Sequence, residues 1–126
     1  MPQHIDKGIS GEKIAVQHLK EKGYTILETN WRNGKAEADI IAEDKSFLVL
    51  VEVKTRATDY FGAPDEAVHK QKQRMLVKAA EAYIEMNNID KEIRYDVISI
   101  VMNDKQTTID HIEDAFYPFA SELDEE

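Results

Sequence analysis

Cysteine is absent from all 126 residues, so disulfides and thiolate-held metals are excluded and a reducing compartment is allowed. No apolar run approaches the length of a membrane span. The first residues, Met1-Pro-Gln-His-Ile-Asp-Lys7, lack the apolar core of a signal peptide. Cytoplasm is the expected location. Positive charge is also in short supply: 16 Lys and Arg against 25 Asp and Glu leave a net charge of −9. A simple nucleic-acid binder needs basic surface, so this balance argues against one. Part of the excess sits in Ser121-Glu-Leu-Asp-Glu-Glu126, expected to be a disordered tail, yet the remainder is still acidic. An active site built from carboxylates would add to the same imbalance, and bound divalent cations would offset it locally. No internal repeat, low-complexity segment or interdomain linker interrupts the chain. With 42% apolar and 33% charged residues, it reads as one soluble domain over residues 1–120, with a single core.

What is present is organised around Phe47-Leu-Val-Leu-Val-Glu-Val-Lys-Thr-Arg56. Five consecutive apolar residues read as a strand buried on both faces of a sheet. The same strand then places a carboxylate at Glu52 and an ammonium at Lys54. Residues two apart on a strand share a face, so the acid and the lysine stand side by side. A buried strand that ends this way marks a site, or else a strand emerging into solvent with Glu52, Lys54 and Arg56 as rim charges.

Around it, apolar periodicity predicts a helix from about Ile5 to Lys22, closed by Gly23. Positions 5, 9, 12, 16 and 19 fall on one face, which puts Glu12 on the apolar stripe. There it must be paired, protonated or metal-bound. A helix starting after Ser10 would instead leave Glu12 near its N-terminus, reaching solvent. Strands are expected over Tyr24–Trp31 and Ala36–Ala42, joined at Asn33-Gly34. Glu43 to Ser46 is read as the next loop. If Glu43 pairs with Ser46, Glu37 faces Glu52, and Asp39 lies opposite Leu50 and diagonal to Glu52 on the same face. A loop over Ala57–Gly62 leads to a second helix from Pro64 to about Asn87, with Val68, Met75, Leu76, Ala79 and Tyr83 as its stripe. Lys72 falls on that stripe, where a lysine ordinarily snorkels from the edge. Strands over Arg94–Met102 and Thr107–Ile112 complete an α/β chain with a mixed sheet.

Asp39, Glu52 and Lys54 form a chemical set. Two hard oxygen ligands converging at a sheet edge suit Mg²⁺ or Mn²⁺. A lysine beside such a cation can orient water and stabilise charge building on a phosphate. Glu12 could add a ligand from the first helix.

Asp39 followed by Glu52-Val53-Lys54 resembles the Asp…Glu-x-Lys signature of restriction-endonuclease-like nucleases, whose core order is αβββαβ. A longer ordered set resembles the YraN family of endonuclease-like proteins, which is similar to archaeal Holliday-junction resolvases. The set comprises Gly11-Glu12, Asn30-Trp31-Arg32, Ala36-Glu-Ala-Asp-Ile-Ile-Ala42, Val51-Glu-Val-Lys-Thr-Arg56, Lys72-Gln-Arg74 and Arg94-Tyr-Asp-Val97. The resemblance implies Asp39 and Glu52 as metal-binding acids and Lys54 as the catalytic lysine. It implies Glu12 as a helix-borne acid, the Val53 carbonyl as a further ligand and Lys72 as a helix residue that faces the site. Arg56, Lys72 and Arg74 are the basic residues expected to meet nucleic acid. Ala36 and Ala38 depart from the family pattern, which usually has Gly at the first position and a larger aliphatic residue at the second. Neither change removes a charged group.

Two functions follow as expectations. The first is a Mg²⁺- or Mn²⁺-dependent endonuclease hydrolysing DNA phosphodiesters, branched DNA included, with no membrane partner and a homodimer as the assembly to test. The second is a nucleic-acid-binding or scaffold protein that retains the fold and acids without turnover. The acidic balance favours the second and the complete Asp-Glu-Lys set the first.

Overall fold

The first helix ends where left-handed backbone is required. In the protein's structure, a computed structural model that describes residues 7–57 and 70–116, Gly23 adopts φ 96°. The Gly23 N–H bonds to the Lys20 carbonyl at 3.0 Å and the Tyr24 N–H to the Leu19 carbonyl at 2.9 Å. This pair of bonds is a Schellman stop, and it turns the chain into the first strand. The elements are α1 Lys7–Glu21, β1 Thr25–Asn33, β2 Ala36–Asp44, β3 Phe47–Arg56, α2 Lys70–Asn87, β4 Glu92–Met102 and β5 Thr107–Ile112. The five strands form one sheet in sequence order. All neighbours are antiparallel except β3 and β4, which are parallel because α2 crosses over between them. The fold is mixed α/β, a five-stranded mixed sheet with two helices among the described residues.

Each helix covers one face. Ala15 and Leu19 of α1 pack on Ile40, Ala42, Val49, Val51, Ile98 and Ile100. On the other face Leu76, Val77, Ala79, Ala80 and Tyr83 of α2 pack on Ala36, Ala38, Ile41, Leu48 and Leu50. Leu48 to Val51 are fully buried because helices lie on both sides, which accounts for the unbroken apolar run. The two departures from the family pattern, Ala36 and Ala38, are part of this packing and lie against α2. Strands β3 and β5 span the ranges expected from sequence. The loop expected up to Gly62, the helix start at Pro64, Val68 on the second stripe and the acidic tail lie outside the described residues.

Two expectations are corrected. The buried stripe of α1 runs through Gly11, Ala15 and Leu19, so Glu12 sits on its flank, half-buried. Gly11 belongs to the stripe because a Cβ there would lie 2.1 Å from the Thr55 Oγ1 and 3.1 Å from its Cβ. Alanine should gain about 1 kcal/mol of helix propensity at this position. Overpacking against Thr55 should cost about 1–3 kcal/mol, so Gly11→Ala is expected to lower the thermal midpoint. Adding Thr55→Ala should restore most of the loss.

The second correction concerns the β2–β3 hairpin. Asp44 pairs with Phe47, the turn contains only Lys45 and Ser46, and Ile40 lies opposite Val51. Lys45 carries the left-handed φ of 57°. The register is therefore shifted by two residues from the expected one, which keeps every face but moves Asp39 from Leu50 towards Glu52. Arg94 supplies the reason. Its Nη1 donates to Asp44 Oδ2 at 3.0 Å, and its guanidinium carbon lies 5.3 Å from the Phe47 ring centroid and 5.6 Å from that of Tyr24. Asp44, whose chemistry suits a loop, is thus held in the strand from β4, two strands away in the sheet.

The same guanidinium binds the fully buried Asp96 with Nε to Oδ1 at 3.0 Å and Nη2 to Oδ2 at 2.9 Å. His111 Nε2 lies 2.8 Å from Asp96 Oδ2, and the Asp114 N–H donates to Oδ1 at 3.1 Å. Burial pushes the Asp96 carboxyl up, but these bonds and the Arg94 charge outweigh it and hold the group below the usual carboxylate range. A folded value below the unfolded one gives stability that is present above about pH 4 and lost as pH falls through the folded value. Urea midpoints measured against pH should therefore drop on the acid side, and the drop should be shallower in Asp96→Asn.

Candidate metal and phosphate site

Strand β2 changes its facing at Asp39. Ala36 and Ala38 pack towards α2, whereas Ile40 and Ala42 pack towards α1, so strict alternation breaks between them. Across the next strand pair, Asn30 has φ 51°, while Thr29 pairs with Ile40 and Trp31 with Ala38. On the other side the β2–β3 ladder has its last pair at Ile40 and Val51. One residue further, the Asp39 side chain takes over the ladder's role: its Oδ2 accepts the Val53 N–H at 2.8 Å. The carboxylate is thereby fixed against the strand that carries Glu52 and Lys54.

Glu52 is 5% exposed, on the α2 face with Leu48 and Leu50. Its Oε2 meets Lys72 Nζ of α2 at 3.4 Å. Burial raises the affinity of both Asp39 and Glu52 for a proton, and the negative charge of Asp39 raises that of Glu52 further. The Val53 N–H, Lys72 and Lys54 oppose the rise at Asp39, while Glu37 adds to it. At Glu52 the opposing charges are Lys72 first and Lys54 second. Two carboxylates and the Lys72 ammonium thus gather where the strands part, and the Lys54 charge acts on both acids.

Other expected residues are placed as follows. Glu37 pairs with Arg32 at 3.3 Å, in place of the expected position opposite Glu52. Glu12 lines an open cavity of about 540 Å³ with Lys13, Val16, Gln17, Thr29 and Asn30. Among the described residues no three acid or imidazole side chains form a metal-holding group, so Glu12, Asp39 and Glu52 are not gathered into one ligand set. Arg56 ends β3 half-buried, beside Val101 of β4, and Arg74 is half-buried on α2. The contact of Lys72 with Glu52 agrees with the resemblance, which has a helix residue facing the site here, whereas periodicity alone reads Lys72 as a snorkelling side chain. Its position on an otherwise apolar stripe was the available signal.

The sequence profile of the family described as "Uncharacterised protein family UPF0102" matches residues 11–100, which contain every residue of this site. The chain belongs to the UPF0102 family. Among similar relatives, UPF0102 protein FP2501 of Flavobacterium psychrophilum is 49% identical over 119 residues, covering 94% of this chain and all of that protein. A UPF0102 protein of Christiangramia forsetii is 45% identical with the same coverage, and one of Bacteroides thetaiotaomicron is 44% identical over 94% of this chain and 98% of its own. UPF0102 membership agrees with the YraN-like resemblance of the motifs and carries no activity with it. No helix among the described residues is long and apolar enough to cross a membrane.

Proposed function

We propose that this UPF0102 protein is a divalent-metal-dependent endonuclease of the restriction-endonuclease-like fold, hydrolysing DNA phosphodiesters with branched DNA among its substrates. The observation that carries the reading is Asp39 anchored on the Val53 N–H beside buried Glu52, on the strand that also presents Lys54. The donor set fits Mg²⁺ or Mn²⁺. Both acids are hard oxygen donors, burial makes their paired negative charge costly, and Mg²⁺ commonly takes one or two carboxylates and fills its shell with water and phosphate. Asp39 and Glu52 would hold the cation, with the Val53 carbonyl as a further ligand. When bound, it would supply Lewis acidity towards water and a phosphate oxygen.

The chain's own groups do the rest. Lys54 holds a positive charge on the face where the phosphate would lie, orienting water and balancing charge in the transition state. Arg56, Lys72 and Arg74 provide basic contacts in an otherwise acidic molecule. Affinity for DNA should therefore be modest and steeply salt-dependent. The net charge of −9 favours the second reading, a scaffold that retains the acids without turnover.

Calorimetric titration with Mn²⁺ and cleavage of branched, duplex and single-stranded DNA separate the two. The nuclease reading expects metal binding and Mn²⁺-dependent cleavage, and inertness on every substrate would move the assignment to the scaffold. Asn at position 39 keeps an acceptor for the Val53 N–H while removing one charge. Asp39→Asn should thus weaken Mn²⁺ binding beyond the roughly 10–100-fold typical of losing an outer-shell partner. It should also raise the metal-free melting temperature by relieving repulsion. Unchanged Mn²⁺ affinity would remove Asp39 from the site.

A further inference from the structure

The protein pairs its buried acids in two different ways. Asp96 is held by a planar fork, with two Arg94 bonds of 3.0 and 2.9 Å between side chains that are 7% and 0% exposed. That arrangement is rigid, with four nitrogen atoms from three residues bonded to one carboxylate. Glu52 is almost as buried, at 6% of its side chain, yet its partner is a lysine at 3.4 Å whose own side chain is 35% exposed. Charge-assisted N–H···O⁻ bonds are strongest near 2.7–2.9 Å, roughly. Lysine is a point charge on a flexible four-carbon stem, so a long, single contact to it is readily exchanged. The Lys72 charge also acts on Asp39, the neighbouring acid.

We propose that Lys72 is a displaceable counter-ion, occupying the Asp39/Glu52 pair until a divalent cation takes its place. The inference rests on the reading of this pair as a metal site, though not on turnover. One ammonium at 3.4 Å from Glu52 leaves two carboxylates under-compensated, since Asp39 is anchored on the Val53 N–H beside it. A doubly charged ion answers both at once. The lysine then has no reason to stay, since like charges at such a distance repel.

The test uses the full chain, Mn²⁺ alone, and the variants Lys72→Gln and Lys72→Arg. Lys72→Gln should tighten Mn²⁺ binding on the order of tenfold, because the competing charge is gone. It should lower the metal-free melting temperature, because Glu52 loses its partner, and enlarge the upward shift produced by Mn²⁺. Lys72→Arg keeps the charge and should bind Mn²⁺ no more tightly than the parent. A lysine with a purely structural role would instead lower both melting temperatures alike and leave Mn²⁺ affinity unchanged, and that result overturns the proposal. Absence of Mn²⁺ binding in parent and Lys72→Gln alike overturns it too. Tighter Mn²⁺ binding in Lys72→Gln with no cleavage by the parent would sustain the counter-ion and reject the nuclease. Cleavage by the parent with Mn²⁺ affinity unmoved in Lys72→Gln would do the reverse.

Discussion

Arg94→Met should destabilise the protein by about 3–5 kcal/mol, the range for removing one partner of a buried ion pair. The residue left behind is Asp96, fully buried, with His111 and the Asp114 N–H as its remaining partners among the described residues. A typical domain has about 5–15 kcal/mol in total, so urea midpoints should fall by a large fraction. The loss should be strongly non-additive with Asp96→Asn. Once the buried carboxylate is neutral, removing the guanidinium costs less, and the double variant should be more stable than the two single losses predict. Additive losses would show that Arg94 acts through packing on Tyr24 and Phe47 alone. Because Arg94 also holds Asp44 at the end of the hairpin, the variant should bind Mn²⁺ more weakly even at temperatures where it is folded.

That second effect follows from how the hairpin is specified, which is also where reading from sequence reached its limit. Local pattern was sufficient for Phe47–Arg56, whose apolar run and charged end are both observed, and for Thr107–Ile112. It was sufficient to bring Asp39 near Glu52, since a shift of two residues preserves the face. It could not place the turn, because Asp44 has the chemistry of a loop residue and is kept in the strand by Arg94, fifty positions away. Arg94 and Asp96 stand two apart on a buried strand with opposite charges, and that spacing was a usable sign of a pair on one face. Glu12 was misplaced by one position of the helix, because Gly11 has no apolar side chain and its burial is visible only against Thr55. The break in alternation at Asp39 has no counterpart in composition at all. It arises between strands, where Asn30 takes a left-handed φ of 51°.

Lys54→Ala should reduce Mn²⁺-dependent cleavage by about 10²–10³-fold, the usual cost of one electrostatic donor to a transition state. On the nuclease reading metal and DNA binding should be largely retained, because the contribution of Lys54 would fall mainly on the transition state and not on the bound ground state. The two lysines stand differently towards the acids. Lys72 is the ammonium in contact with Glu52, at 3.4 Å. Removing Lys54 therefore disturbs the carboxylate pair less than removing Lys72, and its effect should appear in kcat with little change in Mn²⁺ affinity. Lys54→Arg should not restore the full rate, since a broad planar fork does not reproduce a compact charge. A scaffold has no cleavage to lose, and there Lys54→Ala would alter only stability or partner affinity. Robust cleavage by the parent that survives Lys54→Ala would reject Lys54 as the catalytic lysine. The ammonium already at the acids, Lys72, would then be the next residue to replace.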